Sequence, residues 1–279
     1  MKAAVDAAFR DTADAGSYVP RTATERVLRQ LESCVIAKKA PAILDADPGM
    51  GKTMLLRVLA ERLADRCHCV FLPYGSLSLR DLCDWALGRM GEARPSDPVR
   101  ALLMVALRRQ ATGMPLALLI DDASGLKPEA ARELGALVLE ANGGLRLVLS
   151  SPNDARGARV AAALGCDLFS VRLHERMSLT ETSDFIFSRM NRTGVPRVAQ
   201  RRFEPERLEW IHLKSRGIPR LVQRLGHSLL SDLPTGVQPH LDPTEDWLGI
   251  RLDELSPVIR DDELGPPTAA SPSSGLGPS

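Results

Sequence analysis

Eight residues, from Ala46 to Thr53, constrain this chain more than any other stretch. They read Ala-Asp-Pro-Gly-Met-Gly-Lys-Thr, and they stand between an apolar run at 41–45 and a helical pattern that begins at Met54. A strand, a glycine-containing turn, Lys-Thr and a helix form a phosphate-binding loop, because backbone N–H groups and the positive end of the helix face the anion. The motif predicts that Lys52 reaches the β- and γ-phosphates and that the Thr53 hydroxyl ligates Mg²⁺.

The first position of the motif departs from the strict pattern, which has Gly where this chain has Ala46. Gly permits unusual backbone angles and close approach, so we expect slight strain at the start of the loop. A chance Gly-Lys-Thr at the start of a helix is the alternative interpretation.

Composition sets broad limits on the fold and its partners. The 279 residues are 44% hydrophobic and 25% charged, ordinary values for one large globular domain or two smaller ones. A net charge of +1 gives no global reason to expect nucleic acid or an anionic membrane, although a local basic patch is compatible with it. The chain has no run of 18 uncharged apolar residues, and acids stand where a signal peptide has its apolar core. We therefore expect a cytoplasmic protein without a membrane span.

The five cysteines are odd in number and scattered, which argues against a disulfide framework. Cys67-His68-Cys69 resembles a fragment of a metal site, but further ligands at compatible spacing are missing nearby. We instead expect Cys69 to begin a buried strand, where a free cysteine behaves as a small apolar residue.

Strand and helix patterns alternate through the first 173 residues, which predicts an α/β fold with a doubly wound, mainly parallel sheet. Strands are predicted at 42–46, 68–72, 116–120, 145–150 and 168–173. Helices are predicted at 22–37, from the loop to about 66, and at 78–90, 97–110 and 128–141. After Met177 the pattern changes to helices alone, at 180–192, 204–215 and 218–231.

This change of pattern predicts three regions. Residues 1–177 form a nucleotide-binding core with an N-terminal segment, and 178–232 form a small helical domain. Residues 233–279 are Pro-rich and end in a Pro-, Ser- and Gly-rich stretch that cannot bury a core, so we expect them to be largely disordered. A short helix is predicted within 242–260.

Two carboxylates, Asp121 and Asp122, follow the apolar run at 116–120. Downstream of a phosphate-binding loop, such a pair completes an NTPase site: Asp121 holds Mg²⁺, usually through water, and Asp122 orients or deprotonates the attacking water. The alternative is a pair of solvated acids at the end of a strand.

Two further features fit a phosphate site. Ser150 and Ser151 end the strand after the acid pair, at the edge of the sheet where ligands of α/β proteins bind, although they can also merely end a strand. Arg220 falls in the first turn of a helix and opposes its macrodipole, so a compensating anion is expected. A surface arginine is the alternative.

These residues together resemble a known family. The motifs are collinear over residues 8–231 and resemble those of AAA+ ATPases of the ExeA/GspA kind, from general secretion and pilus systems, and more distantly the TniB transposition ATPases. The matching segments are Ala8-Phe9 with Thr12 to Tyr18, Asp47 to Arg57, Leu118 to Ala123, Leu147 to Ser150, Ser178 to Ile186, and Gly217-Ile218-Pro219-Arg220. The last of them is the most specific.

The resemblance implies a five-stranded P-loop NTPase core (ASCE class) in strand order 5-1-4-3-2, a helical lid, and ATP between them. It implies nucleotide contacts from Tyr18, Val19, Asp47, Pro48, Gly49, Met50, Gly51, Lys52, Thr53, Met54, Ser150 and Arg220. Lys52, Asp122 and Arg220 would be catalytic, and Thr53 and Asp121 would ligate Mg²⁺.

The family also implies homo-oligomers in which a neighbour's arginine completes the site, and Arg156, Arg159 and Arg172 are the candidates. Asp122 departs from the commoner Glu and is about 1.5 Å shorter in reach, which can cost on the order of a hundredfold in rate. Bacterial replication initiators of the AAA+ class nevertheless carry Asp-Asp here. The membrane helix and periplasmic domain of the secretion proteins are not found in this sequence, so their role does not carry over.

Three functions compete at this point. The first is an ATPase whose conformational cycle acts on a protein or DNA partner, and Arg201-Arg202 could contact DNA phosphates or simply be solvated. The second is a nucleotide-gated binding module with slow or absent hydrolysis, which Ala46 and Asp122 favour. The third is a small-molecule kinase, which the acid pair and the Gly-Ile-Pro-Arg motif disfavour.

Overall fold

The computed structural model describes residues 2–10, 12–37, 41–92 and 95–231. All of them lie in the first of two compact units, Met1–Val237, while the second, Gln238–Ser279, lies outside the described residues. The helix predicted within 242–260 and the whole Pro-rich tail, 233–279, lie outside the described residues.

Five strands form one parallel sheet at the centre of the fold. They are β1 Ala42–Ala46, β2 His68–Leu72, β3 Leu116–Ile120, β4 Leu145–Ser151 and β5 Phe169–Leu173. Their order is β2-β3-β4-β1-β5, and all four neighbouring pairs are parallel, which confirms the predicted order 5-1-4-3-2. The inner strands β3 and β4 are buried along their whole length, as their continuous apolar sequence predicts.

Helices cover both faces of the sheet. They are α1 Lys2–Phe9, α2 Thr22–Ile36, α3 Lys52–Arg62, α4 Leu79–Arg89, α5 Pro98–Ala111, α6 Pro128–Glu140, α7 Ala155–Ala163, α8 Leu179–Arg192, α9 Arg197–Gln200, α10 Pro205–Ser215 and α11 Pro219–Ser231. Leu28 and Leu31 of α2 and Leu56 of α3 belong to the core on one face. Leu82 of α4 and Leu102 of α5 belong to the core on the other. This two-sided cover is the predicted doubly wound arrangement.

Capping side chains determine where several of the helices begin. The Ser78 hydroxyl accepts the Asp81 N–H ahead of α4, and the Asp97 carboxylate accepts the Arg100 N–H ahead of α5, both at predicted positions. α7 was not predicted, although the Asp154 carboxylate caps it in the same way. α7 has only 9 residues and buries only Gly157 and Val160, so few residues mark it as a helix in the sequence.

The N-terminal helix α1 was not predicted either, and it packs on the helices that follow the sheet, α8 to α11, here called the C-terminal helices. The Phe9 ring stacks on Phe203 at 6.0 Å between centroids, and His227 Nε2 lies 3.0 Å from Asp6 Oδ1. Gly226 provides the room for the Phe9 ring, since a Cβ there would lie 2.4 Å from it. The beginning of the chain is therefore attached to its C-terminal helices.

Within the described ranges, no helix combines the length and apolarity that crossing a membrane requires.

Candidate nucleotide-binding site

The 46–53 loop connects β1 to α3 at the carboxyl edge of the sheet. Gly49 and Gly51 have φ angles of 82° and 97°, in the left-handed region that favours glycine. Ala46 is the last residue of β1, fully buried and paired with Leu173. Its backbone is extended, which any residue adopts, so the expected strain at Ala46 is absent.

Lys52 lies at the first turn of α3 and its side chain folds over the loop. Nζ donates to the carbonyl oxygens of Ala46 at 2.6 Å and Asp47 at 3.3 Å. Burial lowers the pKa of the Lys52 ammonium, against the opposing effect of the carboxylates of Asp121 and Asp122. The charged group therefore sits between the loop and the acid pair.

The acid pair begins where β3 ends. Thr53 Oγ1 donates to Asp121 Oδ2 at 2.6 Å, which joins the start of α3 to the end of β3. The second oxygen of Asp121 accepts from the Ser150 hydroxyl, and the same hydroxyl accepts the backbone N–H of Asp122 at 3.1 Å. The fully buried Ser150 hydroxyl thus hydrogen-bonds to the side chain of Asp121 and to the backbone of Asp122.

Asp122 has a conformation that is uncommon for a residue with a side chain. Its φ and ψ are 46° and 54°, in the left-handed region, where Asp is tolerated better than most residues. Oδ1 accepts from the Ser124 hydroxyl at 2.7 Å, and the residue is exposed. This backbone turn directs the Asp122 side chain toward the cavity that it lines.

The C-terminal helices contact the loop directly. The backbone N–H of Arg220, in the first turn of α11, donates to the Gly49 carbonyl at 3.2 Å. A Cβ on Gly49 would lie 3.1 Å from both Arg220 Cβ and Ile218 Cγ2, so glycine permits this approach. The Arg220 side chain lines the same cavity as Lys52.

The opposite end of the cavity is built by the N-terminal segment and α8. Arg189 Nε and Nη2 donate to the carbonyls of Ala8 and Arg10 at 2.5 and 2.9 Å, and Arg192 Nη1 donates to Tyr18 O at 2.6 Å. The Tyr18 hydroxyl donates in turn to side chains of α2. Burial raises the Tyr18 pKa to about 12, so the phenol stays neutral.

These elements enclose a cavity of about 610 Å³, within the range of about 300–1,000 Å³ typical of small-molecule sites. Most of the residues predicted to bind nucleotide, metal or water line it: Tyr18, Val19, Pro48, Gly49, Met50, Gly51, Lys52, Thr53, Met54, Asp121, Asp122 and Arg220. Arg156 also lines it and is paired with Asp154 at 2.7 Å. The other two arginine candidates are not among the lining residues.

Two predicted residues do not line the cavity. The Ser150 side chain is enclosed and bonded to the acid pair, so it supports the site from behind. The Asp47 carboxylate lies 3.6 Å from Arg176, and only its backbone carbonyl meets Lys52. The sequence analysis missed several lining residues, among them Thr12, Ala13, Phe185, Arg189 and Gln223. The buried face of α8 was the available signal for Phe185.

The donor set at Thr53 and Asp121 fits Mg²⁺. A hydroxyl and a carboxylate are the hard oxygen ligands that this ion prefers, and Mg²⁺ is usually held by one or two carboxylates together with substrate phosphates and water. Within the described part of the chain, no group of three or more His, Cys, Asp or Glu residues forms a cage for a metal. The residues therefore suit a metal shared with a phosphate ligand.

Comparisons with known proteins agree with this geometry. Residues 36–158, from the end of α2 into α7, match the family model described as AAA domain. Cdc6p from Pyrobaculum aerophilum aligns over 78% of this chain with a TM-score of 0.57 and 19% identity. The chain has a P-loop AAA+ fold.

Two further AAA+ neighbours have similar coverage. The ORC2 protein of Aeropyrum pernix, solved in ADPNP–ADP complexes, aligns over 80% of this chain with a TM-score of 0.58 and 15% identity. Domain III of the replication initiation protein DnaA from Thermotoga maritima aligns over 79%, with a TM-score of 0.50 and 16% identity, and is itself covered to 87%.

The chain spans 63% of the Cdc6p chain and 64% of the ORC2 chain. No curated protein sequence matches it. At these identities the neighbours establish the AAA+ fold.

Proposed function

We propose that this protein binds ATP with Mg²⁺ and hydrolyses it, and that the cycle changes its conformation or assembly on a protein or DNA partner. One observation carries the proposal: the 2.6 Å contact between Thr53 Oγ1 and Asp121 Oδ2, which unites the loop and the acid pair in one cavity with Lys52. A phosphate-binding turn and a carboxylate pair at this spacing are what phosphoryl transfer requires.

Each side chain then has a distinct task. Lys52 and Arg220 stabilise the negative charge that develops on the transferred phosphoryl group. Asp122 orients the attacking water for in-line displacement. Thr53 and Asp121 would hold Mg²⁺, which neutralises phosphate charge when bound. Ser150 keeps both carboxylates in place through its hydroxyl.

The contact between α11 and the loop supports coupling of the site to conformation. Since Arg220 N–H donates to Gly49 O, a shift of the loop on nucleotide binding moves the start of α11. In this proposal residues 178–232 act as a lid on a core of residues 1–177, with 233–279 as a tail.

The nature of the partner is part of the proposal. We propose a cytoplasmic homo-oligomer that acts on a protein or on DNA. The resemblance of the sequence motifs to ExeA/GspA and TniB ATPases motivates the homo-oligomer, and a fold neighbour that is a replication initiation protein supports a DNA partner. Arg159 and Arg172 are exposed and do not line this chain's own cavity, so they are favoured as candidates for completing a neighbouring site, whereas Arg156 lines its own cavity and pairs with Asp154.

The test is phosphate release by purified protein with ATP and Mg²⁺. We expect turnover in the unsubstituted protein and its loss in Lys52→Met, while Lys127→Met, at an exposed lysine before α6, keeps the parent rate. Equal rates of phosphate release in all three proteins would refute ATP hydrolysis at this site.

A nucleotide-gated binding module is the second candidate, and the short reach of Asp122 favours it. Assembly on ATP that persists in Asp122→Asn, together with no phosphate release from the parent protein, would select this function instead. Loss of ATP binding in Lys52→Met is common to both functions.

A further inference from the structure

The segments that follow β2 and β3 lie side by side. Leu72 pairs with Ile120 at the carboxyl ends of the two strands, and Asp121 N–H continues the ladder by donating to Leu72 O at 2.8 Å. The 73–77 loop is therefore laid against the turn formed by residues 122–125. Its outer residue, Tyr74, is 61% exposed, whereas Gly75 is buried against the turn.

Gly75 leaves no room for a side chain. A Cβ at this position would lie 2.8 Å from Ala123 Cα and 3.0 Å from the Asp122 carbonyl oxygen. Both atoms belong to the backbone, so they cannot rotate away as a flexible side chain would. Any larger residue at Gly75 has to displace the turn that carries Asp122.

A second glycine makes the reciprocal contact from the turn. A Cβ on Gly125 would lie 3.0 Å from Ser76 Cβ and 3.4 Å from Ser76 Cα. The two segments thus interlock through one glycine each, Gly75 facing Ala123 and Gly125 facing Ser76. This fit is close enough to fix the position of one segment relative to the other.

The turn needs such support because Asp122 holds a left-handed backbone with φ 46°, which only a well-defined surrounding structure maintains in a residue with a side chain. Ser150 fixes the N–H of Asp122 from one side. We infer that Gly75, Ser76 and Gly125 are positioning residues that fix the turn from the other side and set where the Asp122 carboxylate stands. This inference rests on the proposed ATPase function and assigns the 73–77 loop a part in it.

The interlock permits a rescue experiment. Gly125→Ala should lower kcat by roughly threefold to tenfold at unchanged KM for ATP, because the contact displaces the turn by a few tenths of an ångström and a full shift of about 1 Å at a catalytic group costs on the order of a hundredfold. Ser76→Gly removes the Cβ that the new methyl group meets, so the double variant Ser76→Gly/Gly125→Ala should recover most of the rate. Gly88→Ala, whose Cβ would meet nothing within 4 Å, is the matched control and keeps the parent kcat.

Gly75→Ala should have the larger effect, since its clash is with backbone. If that variant does not fold, the Gly125 series alone decides. Equal kcat in the parent and Gly125→Ala, or a double variant no better than Gly125→Ala, would overturn the inference.

Amide hydrogen exchange gives a reading that does not depend on hydrolysis. The N–H groups of Asp122 and Leu126 are bonded to Ser150 Oγ and Ala123 O, so they report directly on the turn. We expect faster exchange at both in Gly125→Ala and parent-like exchange in the double variant. A parent protein without phosphate release would refute the proposed ATPase, while identical exchange in all variants would refute the interlock.

Discussion

Ser150 Oγ lies 3.1 Å from the backbone nitrogen of Asp122 and accepts its hydrogen bond, while its own proton goes to the Asp121 carboxylate. One fully buried hydroxyl therefore fixes a proposed metal ligand and the proposed water-orienting acid at the same time. Because Ser150 does not line the cavity, we expect it to position the two acids and not to contact a phosphate.

Ser150→Ala should therefore reduce ATP hydrolysis by roughly tenfold or more, because the Asp121 carboxylate and the part-buried N–H of Asp122 both lose the hydroxyl that holds them in position. ATP affinity measured without Mg²⁺ should change little, as Ser150 does not line the cavity. Ser151→Ala is the matched control: Ser151 is equally buried on the same strand, but its hydroxyl donates only to Pro152 O. Equal loss in both variants would contradict a specific role for Ser150.

Gly49→Ala should weaken ATP binding by more than the backbone strain of a side chain at positive φ alone would cause. The residue has φ 82°, and its Cβ would also press on Arg220 and Ile218 of the C-terminal helices. Gly113 has a similar φ of 80° with nothing within 4 Å, so Gly113→Ala reports the backbone cost alone, about 1–2 kcal/mol. Calorimetric titration with ATP and urea unfolding of both variants separate the two effects. Similar ATP affinity in both would refute the importance of the contact.

The sequence was sufficient to predict the sheet and to select the loop and the acid pair that line one end of the cavity. Continuous apolar runs mark β3 and β4 because both of their faces are covered, and the loop and the acids are local motifs at strand ends. The strand order followed from the family resemblance, since local patterns carry no information on which strands are neighbours.

At the other end of the cavity, Tyr18 and Val19 were expected from the family resemblance, but the contribution of α8 was not, because it depends on contacts between distant parts of the chain. Arg189 is 181 residues from Ala8, whose carbonyl it binds, and in the sequence it is one charged residue of an amphipathic helix. The left-handed turn at Asp122 was likewise hidden, since it depends on Ser150 and on the buried Gly75 of a neighbouring loop.

Arg189→Met should release α1 from the C-terminal helices. The buried guanidinium donates to the carbonyls of Ala8 and Arg10, and hydrogen bonds of charged groups contribute about 1.5–3 kcal/mol each. Since Arg189 also lines the cavity, ATP affinity should fall with stability. Faster hydrogen exchange over residues 2–10 measures the release, and Arg201→Met, at an exposed arginine between α9 and α10, is the control. Unchanged exchange in Arg189→Met would refute the attachment.

Stability should depend on pH through Glu25, which accepts from Arg62 Nη2 with both oxygens at 2.7 and 3.0 Å and from the Tyr18 hydroxyl. The hydrogen bond from Arg62 holds the pKa of the Glu25 carboxyl below its usual range, despite the opposing effect of burial.

A lowered pKa in the folded state means that the stabilisation is complete above the unfolded pKa of about 4.3 and is lost as pH falls through the lower folded value. Glu25→Gln should therefore reduce the free energy of unfolding at pH 7, by about 1 kcal/mol or less for a partly exposed pair, and the difference from the parent should vanish near pH 2. Urea unfolding at both pH values measures this difference, with Glu32→Gln, which removes only the 3.3 Å contact to Arg62, as the comparison. A difference that is the same at both pH values would mean that the Glu25 charge contributes nothing.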